Sequence, residues 1–235
     1  MNILAIGAHP DDIEILCAGT LARYAEVRHT VTMAVFTDGS MGDAHLPPAE
    51  LARIRHKEAR AAAAVIGARL LWPGITDEHV FANEAQRRVM IDLLRDADPD
   101  VILTHSPNDY HPDHRHVSQL VFDSYFQKGL PHILKQTRPA CRFGQTQLYY
   151  MDNIGGLDFR PTEYVDITAT MATKRKMLAC HQSQFAAMDE LAHADLAELV
   201  ETQSRFRGIA AGCRYAESFT RCDAFQRGLT KRVLP

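Results

Sequence analysis

No run of apolar residues in this sequence approaches the ~20 needed to cross a bilayer, so no membrane-spanning segment is expected. No lysine or arginine precedes the first apolar stretch and no small-residue cleavage pattern follows it, which argues against a secretory leader. Cysteine is sparse and odd in number: five residues, at 17, 141, 180, 213 and 222, without a CxxC spacing. That pattern offers no disulfide framework. It fits a reduced, cytoplasmic protein whose cysteines serve as small apolar residues. Positive charge is short as well. The net charge is −3 and no basic tract is long enough to form a nucleic-acid patch, so neither DNA nor RNA is expected as a partner. Internal repeats, low-complexity tracts and a recognisable linker are also missing, and the chain is expected to form one domain, 1–235.

The composition itself is ordinary for a globular protein, 46% hydrophobic and 23% charged. Short apolar runs alternate with helical segments through the first half. Strands are expected over 2–8, 30–37, 68–72 and 100–106, and helices over 13–27, 49–67 and 82–97, with a further helix opening at 112. Beyond residue 126 the signal weakens. Strands at 145–151 and 163–168, a helix at 172–184 and an amphipathic helix in the tail from about 190 remain legible. The pattern predicts an α/β fold with a mainly parallel sheet flanked by helices and a less regular C-terminal third.

Two motifs interrupt this regularity. "HPDD" (9–12) follows the first strand, and "HPDH" (111–114) follows the fourth. Of twelve histidines, four (His105, His111, His114 and His116) fall between residues 105 and 116, so the second motif is where imidazole concentrates. Both motifs should lie at the carboxyl edge of the sheet, where doubly wound folds bind ligands. The common strand orders place strands one and four side by side, which would make the two loops a single pocket. Pro10 and Pro112 are expected to open the helices that follow, because proline lacks only an N–H that is orphaned there anyway. Residues before proline are held extended, which would fix His9 and His111 at the strand-to-helix corners.

Imidazoles together with one carboxylate make the three-ligand set of a catalytic zinc, with one position left open. A further carboxylate beside that set is what a hydrolase needs as general base. Carboxylates at a strand end could instead be helix caps, but a second cluster makes capping insufficient. The residues alone leave open whether Asp11 or Asp12 is the ligand. The first strand turn reads "GAHPDD" rather than G-x-G-x-x-G, so the dinucleotide fingerprint is missing.

"AHPDDIEILCAGTLA" (8–22) with "THSPNDYHPDHRHV" (104–117) resembles the PIG-L/LmbE-like family of zinc-dependent N-acetylglucosaminyl deacetylases. "ELARIRHKEARAAAAVIGA" (50–68), "KRKMLACHQSQ" (174–184) and "YAESF" (215–219) extend the likeness over most of the chain. The resemblance implies a Rossmann-like fold and one zinc ion per chain held by His9, Asp12 and His114, a ligand set that also accepts iron or cobalt. It implies that Asp11 is the base for the attacking water. His111 would stabilise the oxyanion or protonate the leaving amine, and Asp113 would orient a neighbouring imidazole. Arg55 is the family's substrate-reaching arginine, with a plain ion pair to Glu58 as its alternative. Asn108 and Asp109, and after strand two Asp38 and Ser40, are candidates for sugar hydroxyls. His105, Trp72 and Tyr149 are assigned to packing, His116 points away from the pocket, and His181, Ser183 and Gln184 brace the C-terminal helix.

The expected substrate is a small-molecule N-acetylated amino sugar or its glycoside. The expected assembly is a homo-oligomer, because relatives often are. Two other functions compete: an amidase or deacylase cutting a larger acyl group, and a non-catalytic sugar- or nucleotide-binding module.

Overall fold

In the computed structural model, the structure describes residues 1–134, 137–141, 146–193, 195–224 and 233–235. The first strand, β1 (Asn2–Gly7), reads NILAIG and is buried on both faces, as a central strand of a parallel sheet must be. It leads to α1 (Asp12–Leu16) and α2 (Ala18–Glu26), then β2 (Thr30–Val35), α3 (Pro48–Val65), β3 (Arg69–Leu71), α4 (Glu84–Ala97) and β4 (Val101–Thr104). The chain continues through α5 (Pro112–Gln127), β5 (Gln147–Met151), β6 (Glu163–Asp166), α6 (Met171–Leu178), α7 (Gln182–Ala192), α8 (Leu196–Ala211) and β7 (Ala216–Arg221). The expected strand at 145–151 begins with a residue, 145, that lies outside the described residues.

These strands form one sheet in the order β3-β2-β1-β4-β5-β7-β6. The first five run parallel, while β7 pairs antiparallel with both β5 and β6. The fold is therefore α/β and Rossmann-like, and β1 does pair with β4. Alternate residues of each strand feed two cores: Ile3 and Ala5 pack with α1, α2 and α3 on one face, Leu4 and Ile6 with α4 and α5 on the other. The C-terminal third departs from βα alternation, contributing three helices and the antiparallel edge.

Two expected helices are broken in two. The segment 13–27 is interrupted at Cys17, whose φ of −146° and ψ of 9° lie outside the helical region. The segment 172–184 stops at Leu178, and His181 precedes the next helix with φ −89° and ψ 59°. Helical periodicity survives such a break, so sequence pattern alone cannot show it.

The first break leaves backbone groups without intrahelical partners, which are costly when buried. A buried ion pair satisfies them. The Glu217 carboxylate, from β7, accepts the Gly19 N–H at 2.9 Å and the Thr20 N–H at 2.7 Å. Lys174, from α6, donates to Glu217 Oε1 at 2.6 Å and to the Ile15 carbonyl at 2.7 Å. Gly19 is itself required by close approach, because a Cβ there would stand 2.7 Å from Ile167 Cγ2. Replacing Lys174 by Met strands a buried carboxylate and is expected to cost about 3–5 kcal/mol of stability. Denaturant unfolding of K174M against the parent measures it.

Candidate active site

The register Ile6↔Thr104 brings the ends of β1 and β4 out of the sheet together, so HPDD and the loop carrying HPDH emerge side by side. At the second motif the proline acts as expected. Pro112 opens α5, His111 is the N-cap in extended backbone, and His111 Nδ1 accepts the Asp113 N–H at 3.2 Å. At the first motif it does not. Pro10 stands in the turn before α1, which begins only at Asp12. The N-cap, Asp11, has φ 117°, a conformation that costs a non-glycine residue about 1–3 kcal/mol unless its surroundings impose it. Asp12 supplies part of that imposition by reaching back to accept the His9 N–H at 2.6 Å.

Among the described residues, four trios of histidines and carboxylates have ligand atoms within 4.8 Å of one another, and each contains His9, His111 or His114, so all converge on one volume. Within it His9 Nδ1 lies 3.2 Å from His114 Nε2 and 3.6 Å from Asp12 Oδ2, and His114 Nε2 lies 3.2 Å from Asp12 Oδ1. Ligand atoms bonded at 2.0–2.1 Å to one tetrahedral ion stand about 3.3 Å apart, and these three side chains, which are not one of the four trios, approach one another to that order with each imidazole nearest a different Asp12 oxygen. The outer ring nitrogens face carboxylates, as ligating imidazoles require. His9 Nε2 is 3.3 Å from Asp77 Oδ1 and 3.4 Å from Asp113 Oδ2, and His114 Nδ1 is 3.0 Å from Asp109 Oδ1. His105 is a poorer ligand, because its Nε2 is already engaged by the Ala8 N–H at 2.9 Å and Asp12 Oδ2 at 3.1 Å. His9, Asp12 and His114 could therefore hold a divalent metal.

The two adjacent carboxylates are driven apart electrostatically. Burial first, and then the Asp12 charge, push the Asp11 carboxyl up to about 7, against the pull of His181 and Arg55. Burial would also raise Asp12, but His114 and His105 outweigh it and hold its carboxyl well below the usual carboxylate range. Neighbouring groups with such divergent affinities for a proton mark an acid–base division of labour. Burial would lower the His114 imidazolium, yet Asp12 and Asp109 together lift it to about 9.

The cavity over these groups has a volume of about 200 Å³ and is lined by His9, Asp11, Asp12, His111 and His114 on its polar side. Arg55 lines it too and does not pair with Glu58. Its Nη2 donates to Gln184 Oε1 at 2.6 Å and to the Gly42 carbonyl at 3.1 Å. A Cβ at 42 would stand 2.8 Å from that guanidinium, which would have to shift to admit it. Glu58 instead accepts from the Ser183 N–H and hydroxyl, so Ser183 and Gln184 do tie α7 to α3.

Three sugar-contact candidates lie elsewhere. Asp109 is buried beneath His114, and its Oδ1 also accepts the His111 N–H at 3.0 Å. Asn108 lines a separate depression with Ser106 and Tyr150. Asp38 is a loop tie, accepting from the Ser40 and Asp77 N–H groups. His116 lies by Phe81, away from the cavity. Asp77, Glu78 and Tyr110 line the cavity but were missed from sequence. Asp77 and Glu78 follow β3 at the same carboxyl edge, and that position was the signal that could have found them.

The PIG-L profile, GlcNAc-PI de-N-acetylase, matches residues 4–125, which hold both histidine motifs. The chain belongs to the PIG-L family. This PIG-L protein is 28% identical over 238 residues to the diacetylchitobiose deacetylase of Thermococcus kodakarensis, covering 92% of this chain and 81% of that one. Among solved structures it resembles the N,N'-diacetylchitobiose deacetylase from Pyrococcus horikoshii, with TM-score 0.78 and 28% identity over 94% of this chain and 83% of that chain. GalB, the 4-carboxy-2-hydroxymuconate hydratase of Pseudomonas putida KT2440, superposes with TM-score 0.81 over 99% of this chain and 100% of that chain, but at 22% identity it shares the fold alone.

A metal ligand must be deprotonated, and in the metal-free PIG-L protein His114 holds its proton to about pH 9. Zinc binding at pH 7 is expected to release a proton from this histidine, read by calorimetry in buffers of different ionisation enthalpy. The same raised affinity stabilises the metal-free fold. That stabilisation is fully present below about pH 6.5 and is lost as pH rises through about 9.

Proposed function

We propose that this protein hydrolyses the acetamide of a small N-acetylated amino sugar or its glycoside, using zinc held by His9, Asp12 and His114 and Asp11 as general base. The observation that carries this reading is the convergence of His9, Asp12 and His114 on one small volume, with the Asp11 carboxylate lining the same cavity beside them. By family membership and by relatives matched over most of their length, the chain is an enzyme of the hydrolytic N-deacetylase class, which sets aside the binding module. The relatives act on diacetylchitobiose, which supports an N-acetylglucosamine-type substrate here.

His9, Asp12 and His114 would hold the zinc ion, which when bound would supply positive charge to polarise the amide and to favour deprotonation of water near pH 7. Asp11, on the cavity wall, takes the proton of the attacking water and returns it to the amine as the C–N bond breaks. The Asp113 N–H donates to His111 Nδ1, so in the neutral ring Nε2 carries the hydrogen that would be donated to the developing oxyanion. Asp113 also faces His9 Nε2, the place from which it would orient that ring. Arg55, which also lines the cavity, is the candidate for a substrate oxygen. The same proposal places the protein in the cytoplasm as a homo-oligomer without nucleic-acid or membrane partners. Among the described residues no helix is long and apolar enough to cross a membrane.

A second reading has its own support. Ile15, Ile154, Met188, Leu196 and Leu199 also line the cavity, apolar groups that would suit an acyl group larger than acetyl. An N-acyl glucosamine series from acetyl to octanoyl separates the two. Turnover should fall with chain length for a deacetylase, and a rise would establish the larger acyl group. The mechanism is tested by Asp11→Asn, expected to keep its zinc by elemental analysis while acetate release drops about 10²–10⁴-fold. Near-normal turnover in D11N would remove Asp11 as the base.

A further inference from the structure

Glu78 is a non-glycine residue with φ 61°, in the left-handed region that L side chains rarely adopt. A glycine would make this turn without strain. The backbone on either side is pinned, so the conformation is imposed rather than incidental. The Asp77 N–H donates to Asp38 Oδ1 at 3.1 Å, and Asp77 Oδ2 accepts the Met41 N–H at 3.0 Å. After the strained residue, the Val80 N–H lies 3.4 Å from Asp113 Oδ1, the Phe81 N–H donates to Gln86 Oε1 at 2.9 Å, and Gln86 Nε2 donates to the His79 carbonyl at 2.8 Å.

The strained turn delivers one group to the cavity. Glu78 Oε1 stands 3.2 Å from His111 Nε2. The other ring nitrogen accepts the Asp113 N–H, which leaves the hydrogen of the neutral ring on Nε2, the nitrogen nearest the glutamate. The imidazole thus has a backbone N–H at one nitrogen and a carboxylate oxygen 3.2 Å from the other. The Glu78 side chain is 51% exposed, so it can swing away when a substrate oxygen takes over the Nε2–H.

We infer that Glu78 is a positioning residue that keeps the His111 ring in register with its Nε2–H directed into the cavity, and that the turn carries its strain for this reason. The inference rests on the deacylase reading of the cavity. It predicts opposite movements of stability and turnover.

The test compares Glu78→Gln and Glu78→Gly with the parent, all zinc-loaded, on N-acetylglucosamine and its glycosides. In E78G the relieved backbone should raise Tm by about 2 °C. In both variants kcat should fall about tenfold with KM within about twofold, because ring orientation rather than binding is lost. An E78G protein with raised Tm and unchanged kcat would reduce Glu78 to a turn residue, and a loss confined to KM would make it a substrate contact instead. A second measurement needs no activity. His111→Asn keeps an N-cap acceptor but loses the partner of Glu78, so thermal unfolding of metal-free E78Q, H111N and the double variant forms a cycle. Non-additive Tm shifts are expected, and additive shifts would overturn the contact. If the parent releases no acyl group from any sugar, the deacylase reading fails, while the cycle still decides whether Glu78 holds His111.

Discussion

The parallel ladder between β1 and β4, in which Ile6 stands opposite Thr104, sets where every group of the site can be. Each strand ends in a loop at the carboxyl edge, and because the two are immediate neighbours, the loops share one volume. His9 and His114, 105 residues apart in sequence, thereby come within 3.2 Å. Asp12 ties the edges together, accepting from the His9 backbone while its two oxygens face His105 and His114. Displacing either strand by one residue would turn these side chains to the other face.

Position on this edge also decides electrostatic character. Asp11 and Asp12 are adjacent, chemically identical and both buried, yet one is held ionised and the other is raised to about 7. The difference lies in what each faces: Asp12 meets two imidazoles, and Asp11 meets the charge of Asp12.

The C-terminal third gives the cavity apolar lining through Met188, Leu196 and Leu199, and it also holds the other groups in place. Lys174 and Glu217 satisfy the backbone broken between α1 and α2, and so fix the helix that carries Asp12. Ser183 and Gln184 reach α3 through Glu58 and Arg55, and His181 Nε2 lies 3.3 Å from Glu14 Oε1 in the interior. The stretches "HQSQ" and "YAESF" are thus intelligible as braces around the metal-ligand helix.

Much of this was legible in the residue order. Apolar runs of strand length separated by helical segments predict a parallel sheet, because burial on both faces leaves no other composition for those strands. Two histidine- and aspartate-rich strand ends predict a ligand site at its edge, because loops there are the only place such polarity can collect. Other features depended on tertiary contacts. The Cys17 break, the contact of Asp109 with His114, the place of Asn108 beside Tyr150 and the approach of Glu78 to His111 are set by the folded chain. Periodicity and motif spacing report what a residue is and which edge it reaches. Which way its side chain turns is decided by neighbours that only the folded chain supplies.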